Sequence, residues 1–338
     1  MNNYRIKLKS CPLCGNEKLN FLFYGIDRLL NKQPVVKGEK YGICKCKRCN
    51  FVFTNPRVPK NRINLYYCDS YPFVIDQRSI LNLKPEELHN PFQETKKAIF
   101  SQVYGFDFFN SHLPSFSKKK LQYLSRKRKY RFNMLDFDGE NRKVLDIGCG
   151  IGTDLCILKS RNWDARGIEQ SETAVEICRK RNLLVIRGDI LSVEINDLFH
   201  VVTLNHVLEH LYHPKKVLKR IHDILEPGGA LLIQIPRMDS IFPKIFRSYW
   251  FPLDLPRHVS HFSKHIVTKL LEDIGFRIIS CFTYSGSYEI INSIEYFFRE
   301  KSKKGMPERI KRYLDDFIYF GSTRILDLLQ LGLTLKII

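Results

Sequence analysis

Long apolar runs are absent from this 338-residue chain, and no uncharged apolar stretch approaches the length of a membrane span. A transmembrane helix needs about 20 such residues, so we expect no spanning helix. The first ten residues, MNNYRIKLKS, lack the apolar segment of a secretory signal peptide, which favours a cytoplasmic protein. No motif typical of nucleic-acid-binding domains occurs, and nucleic acid is not expected as a partner.

Acidic residues are few relative to basic ones, and the formal net charge is +20. Such an excess fits an anionic partner, such as a phosphorylated substrate or an anionic lipid. It fits equally a lysine-rich surface that water solvates, and the sequence leaves both interpretations open. Ten cysteines in a chain with no export signal favour reduced thiols, and metal ligation over disulfides.

Two C-x-x-C pairs near the start predict a metal site. The candidate ligands are Cys11, Cys14, Cys46 and Cys49. Four thiolates from two such pairs can hold zinc tetrahedrally with no open position, so we expect a structural Zn²⁺ that stabilises the fold. Reduced cysteines in a small core are the alternative. Cys44, two residues before Cys46, is a second candidate for that ligand position.

A glycine-rich segment at 144–153 is the centre of the chain. An apolar run contains Asp146 and leads into Gly148, Gly150 and Gly152, which predicts a buried parallel strand, a tight turn and a helix. Ligands of open α/β sheets bind off the carboxyl ends of such strands. A dinucleotide fingerprint would place the third glycine one residue later. An acid before the turn favours a cation or an amine over a pyrophosphate.

Two further acids end the next two predicted strands. Glu169 follows the strand predicted at 165–168, and Asp189 follows the strand predicted at 183–186. A carboxylate at the second strand end can accept hydrogen bonds from both hydroxyls of a ribose. Capping of a helix N-terminus is the alternative for each acid.

Four histidines are candidate general bases, namely His206, His210, His258 and His261. The first two are spaced i, i+4 after a predicted strand at 201–204, so we expect them on one helical face. The other two lie after a predicted strand at 230–235, on the acceptor side of such a fold. Packing is the alternative for each. Arg257 is a candidate partner for a phosphate or carboxylate of the acceptor, with a role in a structured loop as the alternative.

The glycine turn and its acids resemble motif I and the following strand ends of class I S-adenosylmethionine (SAM) methyltransferases. This resemblance implies an α/β, Rossmann-like, seven-stranded sheet of order 3-2-1-4-5-7-6, with an antiparallel last strand at 333–338. It implies SAM as cofactor, with Asp146 near the methionine amino group and Asp189 accepting from the adenine. It also places the loop that begins at Asn205 beside the transferred methyl.

The cysteine pairs, the Asn-Pro after them and the segment Pro-Arg-His-x-x-His-Phe-Ser resemble a set of methyltransferases that includes deoxysugar C-methyltransferases. That resemblance implies a nucleotide-linked or lipid-linked sugar acceptor in polysaccharide biosynthesis. A quinone or phenol O-methyltransferase is the alternative, and some quinone-pathway enzymes carry a metal ligand set near the position of His206. A zinc-ribbon nucleic-acid-binding protein with a vestigial SAM fold is the alternative of another class.

The predicted domain order is a zinc ribbon at 1–60, a bridging helical segment at 61–135 and a methyltransferase domain at 136–338. Within the bridge, aromatic residues that include Tyr67 either pack in a core or close over the acceptor. A helical insertion at 286–331 carries basic and apolar residues. It is either a lid or a surface for an anionic membrane, which would make the protein peripheral to that membrane.

Overall fold

The computed structural model describes residues 5–28, 38–67, 142–159, 161–284, 287–302, 305–317 and 334–337. Most of the predicted bridge lies outside these ranges, and so does part of the predicted insertion. Within them, two β-sheets organise the chain.

The smaller sheet contains the cysteine pairs and has four strands. They are β1 Leu19–Ile26, β2 Lys40–Cys46, β3 Val52–Thr54 and, much later in the chain, β9 Ser260–His261. All neighbouring strands pair antiparallel in the order β1-β2-β3-β9. The strand β9 was not predicted from the sequence, because two residues in a loop carry no detectable alternation.

The larger sheet has seven strands. They are β4 Lys143–Ile147, β5 Asp164–Glu169, β6 Leu184–Arg187, β7 Phe199–Asn205, β8 Leu225–Pro236, β10 Cys281–Tyr284 and β11 Thr334–Ile337. Their order is β6-β5-β4-β7-β8-β11-β10, parallel over the first five strands, with β11 antiparallel to both neighbours. Numbered within this sheet alone, the order is 3-2-1-4-5-7-6. The predicted Rossmann-like methyltransferase fold is therefore confirmed.

Seven α-helices accompany the strands in the described residues. They are α1 Thr153–Lys159, α2 Glu172–Lys180, α3 Pro214–Ile224, α4 Phe242–Phe246, α5 Lys264–Glu272, α6 Ser287–Ser302 and α7 Glu308–Phe317. Short 3₁₀ turns cover Lys60–Tyr66, Leu208–His210, Arg247–Tyr249 and Phe251–Leu253. The side chains of Ser171 and Ser263 accept backbone amide hydrogen bonds at the starts of α2 and α5, as N-caps do. No described helix is both long and apolar enough to cross a membrane.

Two predicted boundaries differ from the structure. The Pro-Gly-Gly segment at 227–229, expected as a turn, lies within β8, where the pairing with β7 shifts register between Phe199 and Val201. The segment therefore forms an irregularity in a continuous strand. The strand expected at 276–284 covers only Cys281–Tyr284, since these four residues are the ones that pair with β11.

Arg257 is part of the buried structure, so the expectation that it binds the acceptor was wrong. The side chain is 0% exposed and its Nη2 lies 3.0 Å from Asp27 Oδ1 and 2.7 Å from Asp254 Oδ1. Its Nη1 also donates to the Tyr66 carbonyl at 3.1 Å. Burial alone would raise the pKa of Asp254, but the guanidinium outweighs it and the pKa falls to about 2. Arg257 thus ties the amino-terminal segment to the loop after α4.

Candidate functional site

The glycine-rich turn begins where β4 ends. Gly148, Gly150 and Gly152 have φ values of +69°, +54° and +78°, which L side chains rarely adopt. A Cβ on Gly148 would approach Val207 Cγ2 to 2.6 Å, and one on Gly152 would approach Leu183 Cδ1 to 2.3 Å. Glycine is therefore required here by both conformation and space, and the turn leaves backbone surface at the sheet edge.

Asp146 and Glu169 lie at the ends of neighbouring parallel strands, beside this turn. Asp146 is 4% exposed and its Oδ1 accepts a hydrogen bond of 2.5 Å from the Thr203 hydroxyl. Glu169 Oε2 accepts from the Gly150 amide at 2.9 Å, and Oε1 accepts from the amides of residues 170 and 171. These three bonds leave about one acceptor position on Glu169, because a carboxylate can accept about four hydrogen bonds.

Asp189 lies just beyond β6 and is in contact with the amino-terminal part of the chain. Its Oδ1 accepts from the Leu191 amide at 2.9 Å, and its Oδ2 is 2.8 Å from Lys60 Nζ. Lys60 begins the 3₁₀ turn that follows the cysteine-bearing sheet. No local pattern indicated this pair, since the two residues are far apart in the chain.

Two buried acceptor atoms beyond β7 have no hydrogen-bond partner among the described residues. They are Asn205 Oδ1, at the end of the strand, and Glu209 Oε2, in the 3₁₀ turn that follows. Glu209 is 2% exposed. Leaving such atoms unbonded is costly, so both are suited to a ligand that carries N–H or O–H donors.

The expectation that His206 and His210 share one helical face was wrong. His206 has a φ of +55° and precedes a 3₁₀ turn that covers only Leu208–His210. Its Nδ1 donates to Glu209 Oε1 at 3.2 Å, and its Nε2 is 2.8 Å from Gln234 Nε2. Both ring nitrogens of His206 are therefore bonded within the protein.

His210, His258 and Glu209 form a compact group, in which one ligand atom from each lies within 4.8 Å of the others. The two imidazole rings meet edge to face with centroids 4.5 Å apart. Each Nδ1 contacts a backbone carbonyl, that of Arg257 for His210 and that of Pro252 for His258. A carbonyl only accepts, so donation to it requires the proton on Nδ1, and Nε2 is the basic nitrogen in that tautomer.

Tyr67 reaches this group from the amino-terminal part of the chain, with its hydroxyl 2.7 Å from His210 Nδ1. Burial lowers the pKa of His210 to about 4, and the neighbouring His258 adds to this effect. Burial would raise the pKa of Glu209, but its hydrogen bond with His206 lowers it overall. The group therefore combines an ionised carboxylate with a neutral imidazole at pH 7.

His261 is 5% exposed and does not join this group. Its Nε2 lies 3.1 Å from the Thr54 hydroxyl, which itself donates to the His258 carbonyl at 2.8 Å. A hydroxyl has one proton to donate, so His261 Nε2 must be the donor to Thr54. Burial lowers the pKa of His261 to about 3. His261 was identified as a candidate from the sequence, but neither Thr54 nor Glu209 was. For Glu209, the one signal in the sequence was its position between His206 and His210.

The four predicted cysteine ligands come together. Cys11 Sγ is 3.6 Å from Cys49 Sγ, and Cys14 Sγ is 3.6 Å from Cys46 Sγ. Tetrahedral zinc with Zn–S bonds of about 2.3 Å separates its sulfurs by about 3.8 Å, so the spacing fits zinc. The Cys44 thiol points to the Asn55 carbonyl instead, at 3.9 Å.

A family model described as a methyltransferase domain matches residues 109–281, just over half of the chain. The chain belongs to that family, the class I SAM-dependent methyltransferases. The matched range contains the glycine turn, all three acids and all four candidate histidine bases.

Several relatives resemble parts of this methyltransferase-family chain. An uncharacterized 37.1 kDa protein in transposon TN4556 of Streptomyces fradiae is 34% identical over 125 residues, 34% of this chain and 36% of that protein. A ubiquinone biosynthesis O-methyltransferase of Pseudomonas aeruginosa is 29% identical over 136 residues, 37% of this chain and 58% of that enzyme. A carboxy-SAM synthase of Shewanella piezotolerans is 32% identical over 108 residues, 28% of this chain and 44% of that enzyme.

The matched segments thus span between about a third and three-fifths of the length of these relatives. Among solved structures, a SAM-dependent methyltransferase from Archaeoglobus fulgidus has a TM-score of 0.43 and 21% identity, covering 64% of this chain and 92% of that one. A similarity at that level adds no argument to the family match.

We expect purified protein to contain about one zinc per chain, since four thiolates complete a tetrahedral shell. Substituting Cys46→Ser should abolish zinc retention after dialysis, because the variant keeps only three thiols of the cluster. Cys44→Ser is the matched control, on the same strand, and should retain its zinc. Metal analysis of the three proteins measures this, and zinc loss in the Cys44 variant would contradict the ligand assignment.

The buried imidazole of His261 predicts a dependence of stability on pH. Its pKa of about 3 lies below the value of about 6.5 in the unfolded chain, so unfolding takes up a proton between these values. The stabilisation is complete above pH 6.5 and is lost as the pH falls towards 3. His261→Gln should lower the slope of unfolding free energy against pH by up to about 1.4 kcal/mol per unit between pH 6 and 4.

Urea denaturation at several pH values measures this slope. His265→Gln is the control, because His265 is exposed on α5 and its replacement should leave the slope unchanged. Equal slopes in wild type and His261→Gln would show that His261 does not exclude protons in the native state.

Proposed function

We propose that this chain transfers a methyl group from SAM to a small-molecule acceptor. The observation that carries this proposal is the pairing of two features at one edge of the sheet. One is a glycine turn flanked by strand-end acids, and the other is a neutral histidine beside a buried carboxylate with an unpartnered oxygen. The first suits a cofactor with an amine and a nucleoside, and the second suits removal of a proton from an acceptor.

Four residues are proposed to hold SAM. Asp146 accepts from the methionine amino group, and Glu169 accepts from a ribose hydroxyl through its remaining acceptor position. Asn205 supplies its unpartnered Oδ1 to the amino-acid end, which would otherwise stay unsatisfied. Asp189 accepts from the adenine amino group and shares its carboxylate with Lys60. The backbone of Gly148, Gly150 and Gly152 forms the floor of the site.

His210 is proposed as the general base. With Nδ1 bonded to the Arg257 carbonyl, its Nε2 accepts the acceptor's proton, and Glu209 stabilises the imidazolium that forms. A pKa near 4 keeps His210 neutral, and so able to accept, at pH 7. When bound, SAM supplies an electrophilic methyl whose bonding pair returns to sulfur. His258 belongs to the same group. His206 is proposed to position Glu209, and His261 is proposed to position Thr54.

The buried carboxylate of Glu209 supports a cationic ligand. Its Oε1 lies 3.2 Å from His206 Nδ1, and its Oε2 has no hydrogen-bond partner among the described residues. A sulfonium next to such a group is stabilised by Coulomb attraction in a medium of low dielectric constant.

We propose a nucleotide-linked or lipid-linked sugar as the acceptor, supported by the resemblance of the cysteine module to that of deoxysugar methyltransferases. A quinol is the second candidate, supported by the ubiquinone biosynthesis O-methyltransferases among the relatives. A lipid-linked acceptor would be met at an anionic membrane. Exposed Ile310 and Tyr313 lie on α7 with exposed Arg309, a combination suited to that surface.

The experiment that tests the acceptor is incubation with methyl-labelled SAM and a panel of sugar nucleotides, lipid-linked sugars and quinols. Label in a sugar supports the first candidate and label in a quinol supports the second. Steeply salt-dependent binding of RNA or DNA, without binding of S-adenosylhomocysteine, would instead support a nucleic-acid-binding protein and overturn the proposal.

Glu169→Gln should weaken binding of S-adenosylhomocysteine by at least about tenfold, because an amide loses the charge-assisted bonds to the ribose. Glu172→Gln is the matched control, three residues away in the first turn of α2, where Glu172 pairs with the exposed Arg187. Isothermal titration calorimetry measures both affinities. An unchanged affinity in Glu169→Gln would remove that residue from the proposed cofactor site.

His210→Gln should lower the single-turnover rate of methyl transfer by about a hundredfold, which is a common contribution of a general base. Its affinity for S-adenosylhomocysteine should stay within twofold of wild type, since the ring is not placed in the cofactor contacts. The exposed His265→Gln serves again as control, with both quantities unchanged. Full activity in His210→Gln would transfer the role to His258, which a His258→Gln variant then checks.

A further inference from the structure

We propose that Thr54, in the cysteine-bearing sheet, is a positioning residue for the histidine group, and that zinc in the cysteine cluster sets its position. The contacts run from the cysteines to β3, from Thr54 to the segment 258–261, and from that segment to Glu209 and His210. The contacts are observed independently of the proposed function. Only their role in catalysis rests on that function.

The cysteine cluster fixes the start of β3. The Cys46 amide donates to the Phe51 carbonyl at 2.9 Å, which closes the turn that contains Cys46 and Cys49. Phe51 stacks near Phe53 and also packs against Phe262, which follows β9, with ring centroids 5.3 Å apart. Phe51, Phe53 and the buried cysteines share one core cluster with the large sheet. Loss of the metal would therefore release the turn on which β3 depends.

Thr54 is fully buried at the end of β3, and its amide and hydroxyl make three hydrogen bonds to the loop of the large sheet. Its amide donates to the Val259 carbonyl at 3.1 Å. Its hydroxyl donates to the His258 carbonyl at 2.8 Å and accepts from His261 Nε2 at 3.1 Å. Strand pairing between β3 and β9 involves only two residues of each, so the hydroxyl provides much of the constraint on residue 258.

The same loop then holds the catalytic group through its backbone. The Val259 amide donates to the Glu209 carbonyl at 3.0 Å, and the Arg257 carbonyl lies 3.2 Å from His210 Nδ1. A shift of residues 257–259 would therefore move the partner that sets the tautomer of His210. It would also move His258, whose ring contacts that of His210. Thr54 acts on the site only through these residues.

The test uses the full chain loaded with Zn²⁺ and three variants. Thr54→Val keeps the branched shape and removes the hydroxyl, whereas Thr54→Ser keeps the hydroxyl. Thr268→Val is the control, because the Thr268 hydroxyl bonds only to carbonyls within its own helix α5. Four quantities are measured: zinc content, affinity for S-adenosylhomocysteine, amide hydrogen exchange of residues 257–263, and histidine ¹⁵N chemical shifts.

In Thr54→Val we expect zinc content and amide exchange at residues 40–50 to equal those of wild type. Exchange at residues 257–263 should be about tenfold faster, because a buried hydrogen bond is lost. The ¹⁵N shifts of His261 should also change, because its donor bond is lost. Thr54→Ser should restore both signals, and Thr268→Val should change neither. Wild-type protein stripped of zinc by a chelator should show the same faster exchange at 257–263.

The proposal is overturned if Thr54→Val matches wild type at 257–263, or if zinc removal leaves those residues fully protected. Should Thr54→Val fail to fold, the comparison of zinc-loaded with stripped wild type decides the question alone. Binding of S-adenosylhomocysteine tests the proposed function separately. If wild type does not bind S-adenosylhomocysteine, the catalytic interpretation is wrong. The exchange data still test whether the contacts connect the cysteine cluster to residues 257–263.

Discussion

The structure depends on a short antiparallel pairing between β3 and β9, where a loop of the large sheet completes the small one. Two residue pairs alone would hold such a junction weakly. The junction is strengthened by the Thr54 hydroxyl, by aromatic packing around Phe51 and by the buried ion group of Arg257. The cysteine-bearing sheet is therefore bonded directly to the loop that carries His258 and His261.

The buried charged residues near His210 differ in the partners that the protein provides for them. Arg257 forms ion pairs with both Asp254 and Asp27 within the protein. Glu209 is different, because one of its oxygens is bonded to His206 and the other has no partner in the part of the chain described here. A buried carboxylate of this kind is costly unless a ligand or a protonated neighbour approaches it. The site thus has a defined place for positive charge.

The amino-terminal part of the chain contacts both halves of the candidate site. Lys60 pairs with Asp189 on the side proposed for the cofactor, and Tyr67 contacts His210 on the side proposed for the acceptor. The Tyr212 hydroxyl also donates to the Val58 carbonyl, which lies between β3 and Lys60. The segment 54–67 therefore contacts residues that follow two parallel strands, β6 and β7, at the edge of the sheet where ligands of such folds bind.

The sheet order followed from the resemblance to class I SAM methyltransferases, and the sequence by itself determined the parallel strands, the strand-end acids, the glycine turn and the four cysteines. Each of these is a local pattern: an apolar run, a residue that accepts positive φ, or a fixed spacing of two thiols. The tertiary structure alone decided that Arg257 is buried, that His206 lies off any helix, that Cys44 is outside the cluster and that β9 exists. Those outcomes depend on partners distant in the chain, such as Asp27 for Arg257 and Thr54 for His261, and no local pattern specifies which distant groups will meet.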